Sequence, residues 1–187
     1  NHRKNLLAEA VPDEAIHVTG NTVIDSVLDM ASRPYEFTCA DLTSIDYVRR
    51  KVLLVTAHRR ENLGEPMRRI CFALKELVET RPDVEIVFPV HMNPRVREDV
   101  FGILGGIPRV HLIDPVDYAT IVALMNRCYL VLTDSGGLQE EAPSLGKPVV
   151  VLRDVTERPE GLAAGTLVLA GTCKERIVSR VKLLLED

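Results

Sequence analysis

The sequence predicts an α/β domain, a parallel sheet with helices on both faces. Three observations carry that prediction. From Val52 onward short apolar runs recur, separated by stretches whose apolar residues repeat at three-to-four spacing. The runs are almost wholly apolar rather than alternating, the pattern of strands buried on both faces. Five of them open into polar loops, which places those loops together along one edge of the sheet.

The elements follow in order. A polar start, Asn1-His2-Arg3-Lys4-Asn5, leads into a short helical patch around Leu6 and Leu7. Ile16-His17-Val18-Thr19-Gly20-Asn21 follows, with His17 read as a structural residue beside a strand, and Val23–Met30 forms a second amphipathic patch. Ser32–Thr43 contains Pro34 and little periodicity, so it reads as a linker and divides residues 1–43 from 44–187. The predicted strands are Val52–Thr56, Glu85–Val90, Val110–Ile113, Tyr129–Thr133, Val149–Leu152 and Leu167–Leu169. Between the first two, Met67, Ile70, Cys71, Leu74, Leu77 and Val78 define one buried helix face. Tyr118–Asn126 and Lys174–Leu185 repeat the pattern, and no internal repeat or low-complexity tract is present.

The junction after the fourth strand is the most informative stretch. Thr133-Asp134 ends the strand, Ser135-Gly136-Gly137 turns, and Leu138-Gln139-Glu140-Glu141-Ala142 reads as helix. Paired glycines let a ligand approach the backbone, and a helix start offers N–H groups that hold an anion, most often a phosphate. Glu141 then lies within reach of a ribose beside that phosphate. The competing reading is a tight strand-to-helix turn with no ligand. Asp134 suits either catalysis or backbone hydrogen bonding, and its place at the turn favours the second.

The other loops on the same edge are Ala57-His58-Arg59-Arg60-Glu61-Asn62, His91-Met92-Asn93-Pro94-Arg95, Asp114-Pro115-Val116-Asp117-Tyr118 and the segment Arg153 to Gly161. His58 is either a strand-end cap or a phosphate ligand, and Arg59 and Arg60 are either ligands or surface charge paired with Glu61. His91 is either a ligand or the start of the next helix, for which Asn93-Pro94 is a sound signal. His111, inside a strand, reads as structural. Arg158 has no evident structural task, and Pro159 stiffens the loop that aims it, so it is assigned to a diphosphate.

Composition sets the surroundings. The chain of 187 residues is 46% hydrophobic with 4% aromatics and no Trp, so its core is aliphatic. A net charge of −4 favours neither nucleic acid nor an anionic membrane as partner. Cys39, Cys71, Cys128 and Cys173 lack paired ligand spacing and read as small buried apolar residues, with no metal implied. No apolar run is long enough to cross a bilayer and no signal-peptide core follows the start, so a cytoplasmic location is expected.

Three blocks carry a family resemblance: Thr56-Ala57-His58-Arg59-Arg60-Glu61-Asn62, Thr133 through Pro148, and Thr156-Glu157-Arg158-Pro159-Glu160. They resemble the signature blocks of the bacterial non-hydrolysing UDP-N-acetylglucosamine 2-epimerases. Val18-Thr19-Gly20-Asn21-Thr22-Val23-Ile24-Asp25 resembles the stretch where that family's chain crosses between its two domains. The resemblance runs along nearly the whole chain, in the family's order.

That resemblance implies one Rossmann-like half of a GT-B two-domain architecture. Residues 1–43 match the end of the amino-terminal domain and the crossover, and residues 44–187 the UDP-binding domain. The family's acid/base carboxylates belong to the amino-terminal domain, which has no counterpart here. Its Asn-Pro-Tyr-Gly block and last helix are likewise unmatched. The chain reads as a domain cut out at both ends, which leaves catalysis to an intact, homodimeric protein.

The implied reaction converts UDP-N-acetylglucosamine to UDP-N-acetylmannosamine by elimination and re-addition of UDP, with no metal or redox cofactor. Ser135, Gly136 and Gly137 supply donors to the diphosphate, Arg158 and His58 add to them, and Glu141 binds the ribose. His58 is also the candidate catalytic residue. Val116 and Ile121 are matched to the uracil pocket, where Ile121 replaces a frequent family Phe. Arg59 and His91 match a site where substrate activates the enzyme. A hydrolysing epimerase, another GT-B sugar-nucleotide enzyme and a non-catalytic nucleotide-binding module are the alternatives. A phosphoacceptor domain built on Asp134 is set aside, because no acidic pair follows the first strand.

Overall fold

The computed structural model describes residues 2–186; the outer bounds of the two predicted segments, residues 1 and 187, lie outside them. Six strands form one sheet: β1 (Lys51–Thr56), β2 (Val84–Pro89), β3 (Val110–Ile113), β4 (Leu130–Thr133), β5 (Val149–Val151) and β6 (Leu167–Leu169). Their order is β3-β2-β1-β4-β5-β6, and every neighbouring pair is parallel. Each predicted strand is present, with ends shifted by at most one residue.

The two-residue side-chain period explains the two layers. Leu53 and Val55 of β1 face one cluster, with α4 (Glu65–Thr80), α5 (Pro94–Leu104) and α9 (Lys174–Glu186) over it. Val52 and Leu54 face the other, under α2 (Val23–Ser32), α3 (Ala40–Thr43), α6 (Tyr118–Arg127) and α7 (Leu138–Ser144). Burial on both faces is why the central strands are continuous apolar runs; each fully buried Val or Leu contributes about 1.5–3 kcal/mol. Two of the helices start on side-chain caps: Asn93 accepts from the Arg95 N–H at 3.0 Å, and Asp117 from the Thr120 N–H at 2.8 Å.

The chain builds β1, β2 and β3 outward, returns to place β4 beside β1, and continues the other way. The order therefore reverses between β1 and β4, and the loops after these two strands open a crevice at their carboxyl ends.

Several expectations change. Ser32–Thr43 is not a bare linker: it contains α3, and Phe37 and Leu42 enter the core beside Val27 of α2. The opening helical patch is α1 (His2–Ala8), residues 16–21 belong to no strand, and His17 is exposed. Pro159 opens a short helix, α8 (Pro159–Ala163), rather than a loop. Cys71 and Cys128 are buried, and burial pushes both thiols up to about 12. Cys39 and Cys173 are only partly buried, because each stands just before a surface helix. His111 meets its expected structural role, lying 2.6 Å from Glu85 Oε1 across β2 and β3.

Candidate functional site at the switch point

Two strand ends make the site. Thr56 and Thr133 are the last residues of β1 and β4, paired in register. Asp134 follows directly and is 0% exposed. Its Oδ2 accepts from the His58 N–H at 2.8 Å, the Arg59 N–H at 2.8 Å and Asn62 Nδ2 at 3.0 Å. Asn62, 2% exposed, also donates to the Leu152 carbonyl at 3.1 Å. One carboxylate therefore shapes the loop after β1, and Asn62 ties that loop to the end of β5. Backbone hydrogen bonding is the role the turn position favoured for Asp134.

A cavity of about 360 Å³ opens beside this junction, within the range of small-molecule sites. His58 and His91 line it, as do Val116 and Ile121, with Tyr118 and Leu138 closing other sides. The two imidazoles are stacked, with centroids 5.3 Å apart and planes within 9°. His91 precedes α5 rather than starting it, and its Nδ1 accepts from the Asn93 N–H at 3.1 Å. The cavity lining thus combines apolar side chains with two imidazoles.

The Ser-Gly-Gly turn lies next to it. A Cβ at Gly137 would sit 3.8 Å from Glu141 Oε1 and 3.9 Å from Ser135 Oγ, and one at Gly136 would sit 3.6 Å from Arg59 Nη2. Ser135, Gly136, Gly137, Glu141 and Arg59 are therefore neighbours. Burial, and after it the Glu140 charge, raises the Glu141 carboxyl above its ordinary range. Burial and then Glu141 raise the Tyr118 phenol, which links the turn to the cavity wall.

Arg158 is engaged rather than free: its guanidinium pairs with Glu140, whose other oxygen accepts from Asn21. Its backbone N–H donates to Thr156 Oγ1 at 3.0 Å, Thr156 donates to Gln139, and Gln139 Nε2 donates to the Ser135 carbonyl at 3.1 Å. That chain connects the Arg158 segment to the glycine turn. The pairing of Glu61 with Arg59 or Arg60 is replaced by another: Glu61 lies 2.6 Å from Arg153. Arg153, 7% exposed, also holds Glu157 at 2.7 Å and keeps its carboxyl below the ordinary range.

Asn62, Gln139 and Arg153 were not singled out from the sequence. The one signal available was their position, polar residues just beyond apolar strands, which does not separate a buried clamp from a solvated loop. Among the described residues no group of three or more His, Cys, Asp or Glu is placed to hold a metal, and no helix is long and apolar enough to cross a membrane.

A doubly wound parallel sheet with its crevice at this point is a Rossmann-like domain of the GT-B type. Comparison with known proteins narrows the class. The chain belongs to the UDP-N-acetylglucosamine 2-epimerase family, which it matches over residues 1–187. It is 50% identical over 190 residues to the UDP-N-acetylglucosamine 2-epimerase of Escherichia coli K12, covering 99% of this chain and 50% of the relative. Among solved structures, the UDP co-structure of S. aureus MnaA aligns with a TM-score of 0.91 at 43% identity, over 100% of this chain and 50% of that one. The Neisseria meningitidis UDP-GlcNAc 2-epimerase bound to UDP-GlcNAc aligns with a TM-score of 0.87 at 42% identity, over 98% of this chain and 51% of that one. The chain spans about half the length of the curated relatives it matches.

Proposed function

We propose that this chain is the UDP-holding half of a non-hydrolysing UDP-N-acetylglucosamine 2-epimerase. Residues 44–187 form the UDP-binding domain. Residues 1–43 are the end of the amino-terminal domain and the crossover, of which the part from Val23 onward rests on the UDP-binding domain. The observation that carries the reading is the convergence at the β1/β4 crevice of His58, a base-sized cavity and the Ser-Gly-Gly turn with Glu141 behind it.

The residues take roles that fit their positions. Val116 and Ile121 wall the uracil, Glu141 binds the ribose hydroxyls, and Ser135, Gly136 and Gly137 present hydroxyl and backbone donors to the diphosphate. Arg158 exchanges Glu140 for a phosphate. In the intact protein a base of the amino-terminal domain takes the C2 proton and the C1–O bond breaks. The electron pair passes to the β-phosphate oxygen, leaving a 2-acetamidoglucal. UDP stays in place and adds back at C1 while an acid of the amino-terminal domain delivers a proton to the opposite face of C2, which inverts that centre. His58 donates to the leaving phosphate; a preorganised donor at such an oxygen supplies about 3–4 kcal/mol.

Titration calorimetry of this chain with UDP and with ADP tests the binding half. Preference for UDP is expected, and equal affinity for both sinks the uracil assignment. Product analysis of the intact enzyme tests the reaction: UDP-N-acetylmannosamine supports it, whereas free N-acetylmannosamine with UDP establishes a hydrolysing enzyme. Arg59 and His91 are proposed as this half's share of a substrate-activation site. Hyperbolic kinetics that are the same in intact wild type and Arg59→Ala would remove that assignment.

A further inference from the structure

Asp134 does more than hold a loop. Its Oδ2 takes three donors, the His58 and Arg59 N–H groups and Asn62 Nδ2, so the carboxylate cannot rotate. Its Oδ1 is equally buried and has no hydrogen-bond partner among the described residues. A carboxylate oxygen removed from water and left without a donor is costly. The group facing it is the His58 imidazole, whose Nδ1 lies 3.6 Å away, while the ring is 43% exposed towards the crevice. That separation is too long for a hydrogen bond, and catalytic contacts of this kind shorten when substrate closes a site. The stacked His91 ring, anchored through its own Nδ1 by the Asn93 N–H, covers one face of His58 and limits its swing.

We propose that Asp134 is the positioning residue for His58, holding the imidazole with its Nδ1–H inward and its Nε2 presented to the crevice. The catalytic part of this inference rests on the UDP reading above. The geometry resembles the carboxylate–imidazole pair of hydrolytic triads, in which a buried Asp fixes the tautomer and balances the imidazolium charge. In the intact enzyme the imidazolium form of a ring so held donates its Nε2–H to the β-phosphate, with Asp134 beside Nδ1 as its counter-charge. The carboxylate itself touches no substrate.

The test reads the tautomer directly. Long-range 1H–15N correlation spectra of the histidine-labelled chain, recorded where the ring is neutral and with His58→Gln for assignment, report which nitrogen carries the proton. Wild type is expected to carry it on Nδ1. In Asp134→Asn the two backbone N–H groups claim the amide oxygen, the NH2 turns towards Nδ1, and the proton moves to Nε2. A proton on Nε2 in wild type overturns the proposal, as does an unchanged tautomer in the variant. The wild-type spectrum decides alone if the variant does not fold. In the intact enzyme, Asp134→Asn is expected to lower kcat by about 10²–10⁴-fold with KM within about threefold. A raised KM with kcat preserved overturns the catalytic part. The spectra need no ligand, so failure of UDP to bind in calorimetry counts against the UDP assignment and leaves the tautomer result standing.

Discussion

The hydroxyls of Thr56 and Thr133 hydrogen-bond at 2.7 Å across the two strands where the sheet order reverses. Thr133 Oγ1 also accepts from the Ser135 N–H at 2.9 Å, so one side chain fastens both the strand ends and the first residue of the glycine turn. Thr133→Val keeps the shape and removes both bonds. A loss of about 1–3 kcal/mol in urea unfolding is expected, together with weaker UDP binding. Unchanged stability and affinity would show that the hydroxyl fastens nothing.

Asn62 joins Asp134 to the Leu152 carbonyl from a position 2% exposed. Asn62→Leu leaves both acceptors short of a donor. The expected cost is about 2 kcal/mol or more in urea unfolding, and a variant as stable as wild type would contradict the clamp.

Arg158 and Glu140 are bound to each other, and a diphosphate has to replace the carboxylate. Glu140→Gln is therefore expected to tighten UDP binding severalfold, while Ser135→Ala and Glu141→Ala weaken it. Arg158→Ala is expected to weaken UDP binding about 10–100-fold, the worth of one charged hydrogen bond, and to leave uridine binding nearly intact. Equal losses for UDP and uridine in calorimetry would remove Arg158 from the diphosphate.

Glu141 sets a pH dependence whose sign follows from its environment. Its folded-state pKa is raised, first by burial and then by Glu140. The stability linked to a raised carboxyl is fully present below its ordinary value of 4.5 and is lost as pH rises through the higher folded value. At neutral pH the ionised group works against folding. Glu141→Gln is expected to raise the urea midpoint at pH 7, with the difference shrinking as pH falls through the raised folded value and gone below 4.5, and to lose UDP affinity. A difference that instead grows in acid would refute the burial argument.

How much of this was legible in the sequence depends on the range of the interaction. The central strands, predicted as Val52–Thr56 and Tyr129–Thr133, were read to within one residue, because burial on both faces requires unbroken apolar runs. The edge of polar loops followed from the same alternation, and it brought His58, His91, Val116 and Ile121 to one cavity. Phe37 and Leu42 were missed as core residues because a stretch with Pro34 and no period carries no face to read.

The sequence by itself determined the layers of this protein, its strand-to-helix alternation and the turn chemistry of Ser135-Gly136-Gly137, because those depend on neighbours one to four residues away. The tertiary structure alone decided that Asn62 serves Asp134, 72 residues on, that Arg153 and not Arg59 or Arg60 neutralises Glu61, 92 residues away, and that Arg158 lies against Glu140. The first two pairs meet because β4 returns to the side of β1, and the third because β5 lies beside β4. A local pattern cannot specify which carboxylate a given cation or amide will face across such a crossover.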